Sequence, residues 1–217
     1  QLDENQPIEQ AGFRSGYSTI DHIHTLNQLR EKCSEYQKPL CAAFVDYEKA
    51  FDSIETDAVL TSLDNQGIEK GYVATLADVY RDGNTSTKLH KESNQIPIRK
   101  GVRQGDTISP KLFTASLEDI FRKLNWEEKG ISINGNRLSN LRFADDVTLT
   151  AGKLEDLEVC LNELSVESRK RGLKINMEKT KILKNHHVTH RQVKIGDQEI
   201  EQVNSYIYLG QRISLTE

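Results

Sequence analysis

The sequence is poor in cysteine, the residue that builds compact zinc sites. Its 217 residues contain three cysteines, Cys33, Cys41 and Cys160, and no two of them form a C-x-x-C pair. Because zinc sites are built from closely spaced cysteine and histidine ligands, this spacing predicts no zinc site. Widely spaced cysteines without a disulfide framework are typical of a reducing compartment, so the sequence favours an intracellular protein.

Long apolar runs and targeting segments are also missing. No segment approaches the roughly 20 apolar residues of a membrane helix, and no basic stretch followed by an apolar one opens the chain. We therefore expect no membrane partner. The chain begins at Gln1 and not at a methionine, and it ends within an apparent strand. We interpret it as a fragment of a longer polyprotein.

An excess of positive charge is absent as well. The net charge of -4 argues weakly against a nucleic-acid binder, because such domains are usually basic. The distribution is uneven, however, since nine basic residues and one acid, Glu178, lie between Arg169 and Lys194. This strip is a candidate phosphate-facing surface. A solvated face is the alternative interpretation.

What is present predicts a mixture of helices and short strands. The apolar run "PLCAAFVDY" after Pro39 is typical of a buried strand, and Ser109 with Pro110 predicts a helix start that has Ser as its cap. Hairpins are predicted at "ISINGNRL" and "NLRFADDVTLT", and a leucine-striped helix is predicted from Leu154 to Arg171. This order is close to a split β-α-β-β-α-β unit. We therefore expect an α+β fold, with an antiparallel sheet, helices on one face and a site on the open face.

Two predicted strands carry conspicuous carboxylates. Asp46 follows "CAAFV", and Asp145 and Asp146 lie inside "LRFADDVTLT". In the split order the first strand lies beside the central hairpin, so the three side chains meet at one edge. They cannot all stay ionised there without a balancing cation, and hard divalent ions take such oxygen ligands. The alternative is a tight turn with exposed acids.

Six segments resemble, in the same order, the motifs of reverse transcriptases. "FADD" at 143–146 looks like their two-aspartate hairpin, and "AFVDYEKAFDSI" at 43–54 resembles their first catalytic motif. The other four are "QAGFRSGYSTIDHI" at 10–23, "RQGDTISPKLF" at 103–113, "GLKINMEKTKIL" at 172–183 and "YLG" at 208–210. The sequences "EKAF" and "RQGD" within these motifs are most similar to those of the reverse transcriptases of non-LTR (LINE-type) retrotransposons.

The resemblance implies the palm of a right-hand polymerase with part of the fingers. The implied divisions are a partial fingers segment at 1–36, a palm strand with the first catalytic motif at 37–55, a fingers/palm connection at 56–99, the palm at 100–200 and a primer-grip edge leading to a missing thumb at 201–217.

The resemblance also implies roles for individual residues. The catalytic, metal-binding residues are Asp46, Asp145 and Asp146, with the backbone carbonyl of Tyr47 as a further ligand. The implied nucleotide-binding residues are Tyr47, Phe51 (under the sugar, selecting deoxynucleotides), Gln104, Gly105 and Lys179 (near the triphosphate). The implied primer and template contacts are Arg14, Leu209 and Gly210.

The function implied by the resemblance is RNA-directed DNA polymerase activity. It requires two Mg²⁺ ions, with Mn²⁺ as a possible substitute, and it acts on an RNA template, a DNA primer and deoxynucleoside triphosphates. The implied partners within the polyprotein are a nuclease domain and a thumb. The implied location is the nucleus, with a cytoplasmic ribonucleoprotein stage. A catalytically decayed or domesticated nucleic-acid-binding remnant is the alternative, and an RNA-templated RNA polymerase is a third, against which Phe51 argues.

Overall fold

The computed structural model describes residues 2, 4, 6–81, 84–86, 95–97, 100–103, 105–133 and 135–216, with the backbone alone at 84–86 and 95–97. The helices are α1 Thr19–Glu35, α2 Ala50–Ser53, α3 Thr56–Asn65, α4 Lys70–Arg81, α5 Ser109–Phe121 and α6 Leu154–Arg169. The strands are β1 Cys41–Val45, β2 Asn84–Ser86, β3 Gln95–Pro97, β4 Ile131–Ile133, β5 Asn136–Leu138, β6 Asn140–Phe143, β7 Asp146–Ala151, β8 Lys181–Lys184, β9 Lys194–Ile195, β10 Gln198–Glu199, β11 Glu201–Gln202, β12 Tyr206–Tyr208 and β13 Gln211–Ile213.

The central sheet has the strand order β11-β8-β1-β7-β6. The pairs β8-β1, β1-β7 and β7-β6 are antiparallel, whereas the short β11 is parallel to β8. With α5 between β1 and β6, and α6 between β7 and β8, the chain traces the split β-α-β-β-α-β unit. The predicted α+β fold is therefore confirmed, and the first strand does lie beside the central hairpin.

The central strand β1 is buried on both faces. Cys41, Ala43 and Val45 pack with residues of α5 and α6, while Ala42 and Phe44 pack with α1 and with the β12-β13 hairpin. A strand covered on both sides has no polar face, which explains why "CAAFV" is continuously apolar and not alternating. The helices of the split unit share one face, as expected. The other face is not open along β1, since α1 and the hairpin cover it.

The long helices lie where the sequence patterns place them, with differences at the ends. α5 begins at Ser109 and carries Pro110 in its first turn, but its N-cap position is Ile108, so the expected serine cap is not formed. α6 ends at Arg169, and Gly172 follows with φ of +80°. A Cβ at position 172 would lie 2.6 Å from the carbonyl oxygen of Ser53, so glycine is required there for space as well as for conformation.

A buried ion pair ties the edge strand β6 to α5. Nη1 of Arg142 donates to Oε2 of Glu118 at 2.8 Å, and both side chains are shielded from water. The guanidinium also lies 4.2 Å from the centre of the Phe121 ring. Burial lowers the pKa of Arg142, whereas the Glu118 carboxylate raises it. The pair fixes β6 two residues before the turn that carries Asp145.

The three cysteines are buried and free. Across the described ranges, none of the helices combines the length and the apolar character needed to span a bilayer.

Candidate active site

The hairpin of β6 and β7 presents two of the predicted carboxylates. Phe143 pairs with Asp146, so Ala144 and Asp145 form a two-residue turn. Ala144 has a φ of +57° whereas Asp145 is not in the positive-φ region, the pattern of a type II′ turn. Glycine normally occupies that first position, since a side chain at positive φ costs on the order of 1 kcal/mol. The turn is therefore held in an unfavourable conformation by its surroundings.

The third carboxylate lies at the same end of the sheet. The β1-β7 pairing runs to Val45 opposite Val147, so one further residue along each strand brings Asp46 opposite Asp146. The backbone of Asp46 is fixed from the β8 side, because its N–H donates to Oγ1 of Thr180 at 3.3 Å and its carbonyl accepts from N of Asn176 at 2.8 Å. The register of the sheet thus joins aspartates that are about 100 residues apart in sequence.

Burial and the charges of neighbouring carboxylates raise the pKa of both Asp145 and Asp146. Burial raises the pKa of Asp145, and the charge of Asp46 raises it further. Burial, then Asp145, then Asp46 raise the pKa of Asp146 to about 6, although part of its side chain faces solvent. The Lys179 ammonium lowers the pKa of both carboxyls. The site therefore holds more negative charge than its surroundings balance.

Lys179 is the cation that the chain itself supplies. Its Nζ lies 3.7 Å from Oδ2 of Asp46, a buried oxygen that accepts no hydrogen bond. Among the residues that the structure describes, no three Asp, Glu, His or Cys side chains are already arranged to hold a metal ion. The donor chemistry nonetheless fits a hard divalent ion, because the site offers only oxygens and one of them, Oδ2 of Asp46, is buried and accepts no hydrogen bond.

The Tyr47 carbonyl points away from the strand segment that carries Ile175. Tyr47 forms an antiparallel bridge with Ile175, in which N of Glu48 donates to O of Lys174 and N of Asn176 donates to O of Asp46. In this pattern the flanking residues make the hydrogen bonds, and the N–H and C=O of Tyr47 itself point to the opposite side. That side is the β7 side of the sheet. The tyrosine ring is buried, and its hydroxyl lies 2.8 Å from Oγ of Ser168.

Phe51 belongs to a cluster of three aromatic rings. Its ring stacks on the buried Phe113 with centroids 4.5 Å apart, and the partly exposed Phe13 meets it edge-on at 6.2 Å. Phe51 itself is half-buried. The stacking fixes its ring plane, and the exposed remainder is free to contact a ligand.

The remaining predicted contacts differ in their surroundings. Gly105 is exposed with φ of +85° in the turn before α5, whereas Gln104 lies outside the described residues. Arg14 donates to the carbonyl of Pro7 at 2.7 Å and lies over the Tyr17 ring. Its guanidinium is thus partly engaged within its own segment.

Leu209 and Gly210 form the turn of the β12-β13 hairpin. Both have positive φ, +47° and +82°, as a type I′ turn requires. Tyr206 of this hairpin stacks on Phe44 of β1 at 4.8 Å. Burial raises the pKa of Tyr206, and the charges of Asp146 and Asp46 raise it further, so the hairpin lies within electrostatic reach of the carboxylates.

The basic strip is largely neutralised by neighbouring acids. Seven of its nine cations form ion pairs: Lys170, Arg171, Lys174, Lys179, Lys181, Arg191 and Lys194. The pairing of Arg171 with Asp119 is buried. Much of the positive charge of the strip is therefore paired with acids of the same chain, and the phosphate-facing surface stays a prediction.

Two residues that sequence reasoning did not single out as functional contact the carboxylate turn directly. Oε1 of the buried Gln10 accepts hydrogen bonds from N of Gly12 at 2.8 Å and from N of Ala144 at 3.1 Å. A Cβ on Gly12 would lie 2.1 Å from N of Ala144. The only sequence signal was their position in the segment "QAGF", since the partner lies more than 130 residues away.

His22 links α1 to the same region and predicts a pH dependence of stability. Its Nδ1 lies 3.3 Å from the Tyr208 hydroxyl, and its ring meets Phe143 edge-on. Burial lowers its pKa to about 4 from 6.5. Between those values the unfolded state binds more protons, so the folded state loses stability as the pH falls from 6.5 towards 4.

We expect His22→Gln to make the free energy of unfolding less dependent on pH between 6.5 and 4. The fully developed effect is up to about 3 kcal/mol, since one pKa unit corresponds to about 1.4 kcal/mol. Urea unfolding at pH 4.5 and pH 7 measures it, and the exposed His24→Gln is the control. An equal loss of stability on acidification in wild type and His22→Gln would contradict the assignment.

The fold and the site together define the class: a split antiparallel sheet with a carboxylate after its first strand and two more on the adjoining hairpin is a polymerase palm. Residues 2–213 match the family described as reverse transcriptase (RNA-dependent DNA polymerase). The chain belongs to this family. Reverse transcriptases use divalent metal ions, in keeping with the oxygen donors of the site.

Curated relatives place the chain among non-LTR retrotransposon proteins, as the sequence predicted. It is 31% identical over 214 residues to the Pol polyprotein of a type-1 R2 retrotransposable element of Nasonia vitripennis, covering 93% of this chain and 21% of that protein. It is 31% identical over 178 residues to the Pol polyprotein of element R2DM of Drosophila melanogaster, covering 81% and 17%. The chain thus spans about a fifth of these relatives.

Solved structures show the same fold at low sequence identity. An apo telomerase from Candida tropicalis superposes with a TM-score of 0.68 at 15% identity, covering 95% of this chain and 39% of that one. A telomerase from the same organism, in complex with a fragment of telomeric RNA, gives 0.66 at 16% identity, covering 99% and 34%.

Proposed function

We propose that the chain carries the catalytic centre of an RNA-directed DNA polymerase, which transfers a deoxynucleotide from its triphosphate to a primer 3′-hydroxyl. The supporting observation is the sheet register, which brings Asp46 opposite Asp146 and next to Asp145. The raised pKa values of Asp145 and Asp146 agree with a site that needs additional positive charge.

Asp46, Asp145, Asp146 and the Tyr47 carbonyl would hold two Mg²⁺ ions, for which Mn²⁺ could substitute. When bound, such ions lower the pKa of an attacking hydroxyl and stabilise the charge on a leaving phosphate. Lys179 balances Asp46 in the absence of metal. With metal and nucleotide present, its exposed ammonium would be released to donate to the triphosphate or to protonate the leaving pyrophosphate.

The surrounding residues would orient the substrates. Phe51 would lie under the sugar, with Gln104 and Gly105 lining the nucleotide pocket. Leu209 and Gly210 would hold the primer backbone, and Arg14 would contact the template. The substrates are an RNA template, a DNA primer and deoxynucleoside triphosphates, and we propose a nuclease domain and a thumb as partners within a polyprotein. The proposed location is the nucleus with a cytoplasmic ribonucleoprotein stage.

Primer extension by the 217-residue chain tests the function directly. The chain is mixed with an RNA template, an annealed DNA primer in excess and all four deoxynucleotides, and Mg²⁺ is added or chelated. We expect template-dependent lengthening that stops on chelation. A chain that binds the duplex equally with and without Mg²⁺ and extends no primer would overturn the proposal in favour of a catalytically decayed or domesticated remnant.

The Phe51 ring predicts sugar discrimination. Removing the ring in Phe51→Ala opens the space that a 2′-hydroxyl would need, so ribonucleotide use should rise. We expect the ratio of kcat/KM for deoxy- over ribonucleotides to fall on the order of 10-fold or more, within the usual range for steric selection. Tyr72→Ala, on the exposed surface of α4, is the control. An unchanged ratio would leave Phe51 as a packing residue only.

A further inference from the structure

The segment 7–12 runs along the free edge of β6 and covers it. N of Arg142 donates to O of Glu9 at 2.8 Å, and N of Ala11 donates to O of Arg142 at 2.9 Å. These two bonds form a parallel bridge between Gln10 and Arg142. The edge of an otherwise exposed strand is thereby paired. This brings the segment to the start of the turn that carries Asp145.

Gln10 then connects the segment to the turn itself. Its side chain is 1% exposed, and its Oε1 accepts from the N–H groups of both Gly12 and Ala144. One buried oxygen thus binds a donor of the segment and a donor of the turn. A buried N–H that loses its acceptor costs about 1–3 kcal/mol, so the amide strongly favours this one arrangement.

Gly12 permits the close approach that Gln10 needs. A Cβ at position 12 would lie 2.1 Å from N and 2.9 Å from Cα of Ala144. These are backbone atoms, which cannot move aside as a flexible side chain can. Any larger residue at position 12 must therefore lift the segment away from the turn or displace the turn.

Ala144 is the residue whose strain this contact stabilises. It adopts φ of +57°, an unfavourable conformation for alanine that persists only where neighbours over-determine it. Asp145 follows directly. We propose that Gln10 is a positioning residue that holds the Ala144–Asp145 turn in its strained form and so sets the direction of the Asp145 and Asp146 carboxylates. The link to catalysis rests on the proposed polymerase function, whereas the hold on the turn does not.

The test uses Gln10→Met, which keeps the length of the side chain and removes the acceptor. We expect the Ala144 amide to exchange with solvent at least about 10-fold faster, because it loses its acceptor. The dissociation constant for Mn²⁺ should rise on the order of 10-fold. Gly12→Ala should produce both effects by steric displacement. The matched control is Gln66→Met, which removes another buried glutamine whose Nε2 donates to O of Ala115.

The two measurements separate the positioning role from general stability. Gln66→Met is expected to lower the free energy of unfolding. Ala144 exchange should rise only as far as this lower stability requires, and the Mn²⁺ affinity should stay the same. If Gln10→Met and Gly12→Ala behave in the same way as Gln66→Met, the positioning role is wrong. If the wild-type chain binds no Mn²⁺ but Ala144 exchange still rises in Gln10→Met, the hold on the turn stands and the proposed metal site fails.

Discussion

Asp145→Asn is expected to abolish nucleotide incorporation without unfolding the protein. The carboxylate would balance metal charge that contributes several kcal/mol to the transition state, and each 1.4 kcal/mol is about a factor of ten in rate. We therefore expect a loss of about 10³-fold or more in primer extension. In the metal-free protein the same change removes one of three repelling carboxylates, so the melting temperature should stay level or rise.

The change in melting temperature on metal addition distinguishes this variant from the wild type without a measurement of primer extension. A ligand at 100 times its dissociation constant stabilises the folded state by about 2.7 kcal/mol. For a chain of this length that corresponds to a rise in melting temperature on the order of 5–10 °C. We expect Mn²⁺ to produce this rise in the wild type and not in Asp145→Asn.

The control for both measurements is Asp197→Asn, an exposed acid in the turn between β9 and β10. It should extend primers and respond to Mn²⁺ as the wild type does. Extension by Asp145→Asn within 10-fold of the wild type, or an equal Mn²⁺ shift in the two proteins, would remove Asp145 from the catalytic centre.

Glu118→Leu is expected to be the most destabilising of the variants considered, because it leaves the Arg142 guanidinium buried without its carboxylate. Breaking a buried ion pair from one side costs about 3–5 kcal/mol, a large part of the typical 5–15 kcal/mol of domain stability. The carboxylate also accepts from Nε of Arg122 at 2.9 Å, so a second bond is lost. Urea unfolding should show the change as a lower midpoint.

The double variant Glu118→Leu with Arg142→Leu provides the decisive comparison. Replacing both charges with apolar groups removes the uncompensated buried charge, so most of the lost stability should return. Glu35→Leu, which breaks the exposed pair with Lys32, should cost less than about 1 kcal/mol. If the double variant is as unstable as the sum of the two single variants, the pair is not the source of the effect.

Much of the fold could be predicted because its signals are local. The apolar run of β1 and the leucine stripe of α6 follow from periodicity, and the start of α5 follows from Pro110, although the predicted serine cap is not formed. Their order was enough to predict the split unit, since that connection determines which strands are neighbours. The covering of the second face of β1 by α1 was not predictable, because an apolar stripe on a helix does not specify which face of a sheet it meets.

The candidate site divides in a similar way. Asp46, Asp145 and Asp146 stand out in sequence because charged residues directly beside apolar strand residues are costly, and Phe51 could be proposed from its motif. Five of the seven ion pairs of the basic strip join residues that are 20 or more positions apart in sequence, so charge counting alone overstated the free positive surface. The pairing of the segment at 7–12 with the edge of β6 could not be predicted, because this segment has no hydrophobic periodicity in the sequence.

The sequence by itself determined the family and the positions of the three aspartates, because motif order and residue type are properties of the chain. Only the tertiary structure decided how the aspartates are held. The β1-β7 register brings Asp46 opposite Asp146, Lys179 lies beside Asp46, and one buried oxygen of Gln10 fixes the strained turn before Asp145. Each of these contacts joins residues that are far apart in sequence. Their distances are determined only when the strands pair in the folded protein.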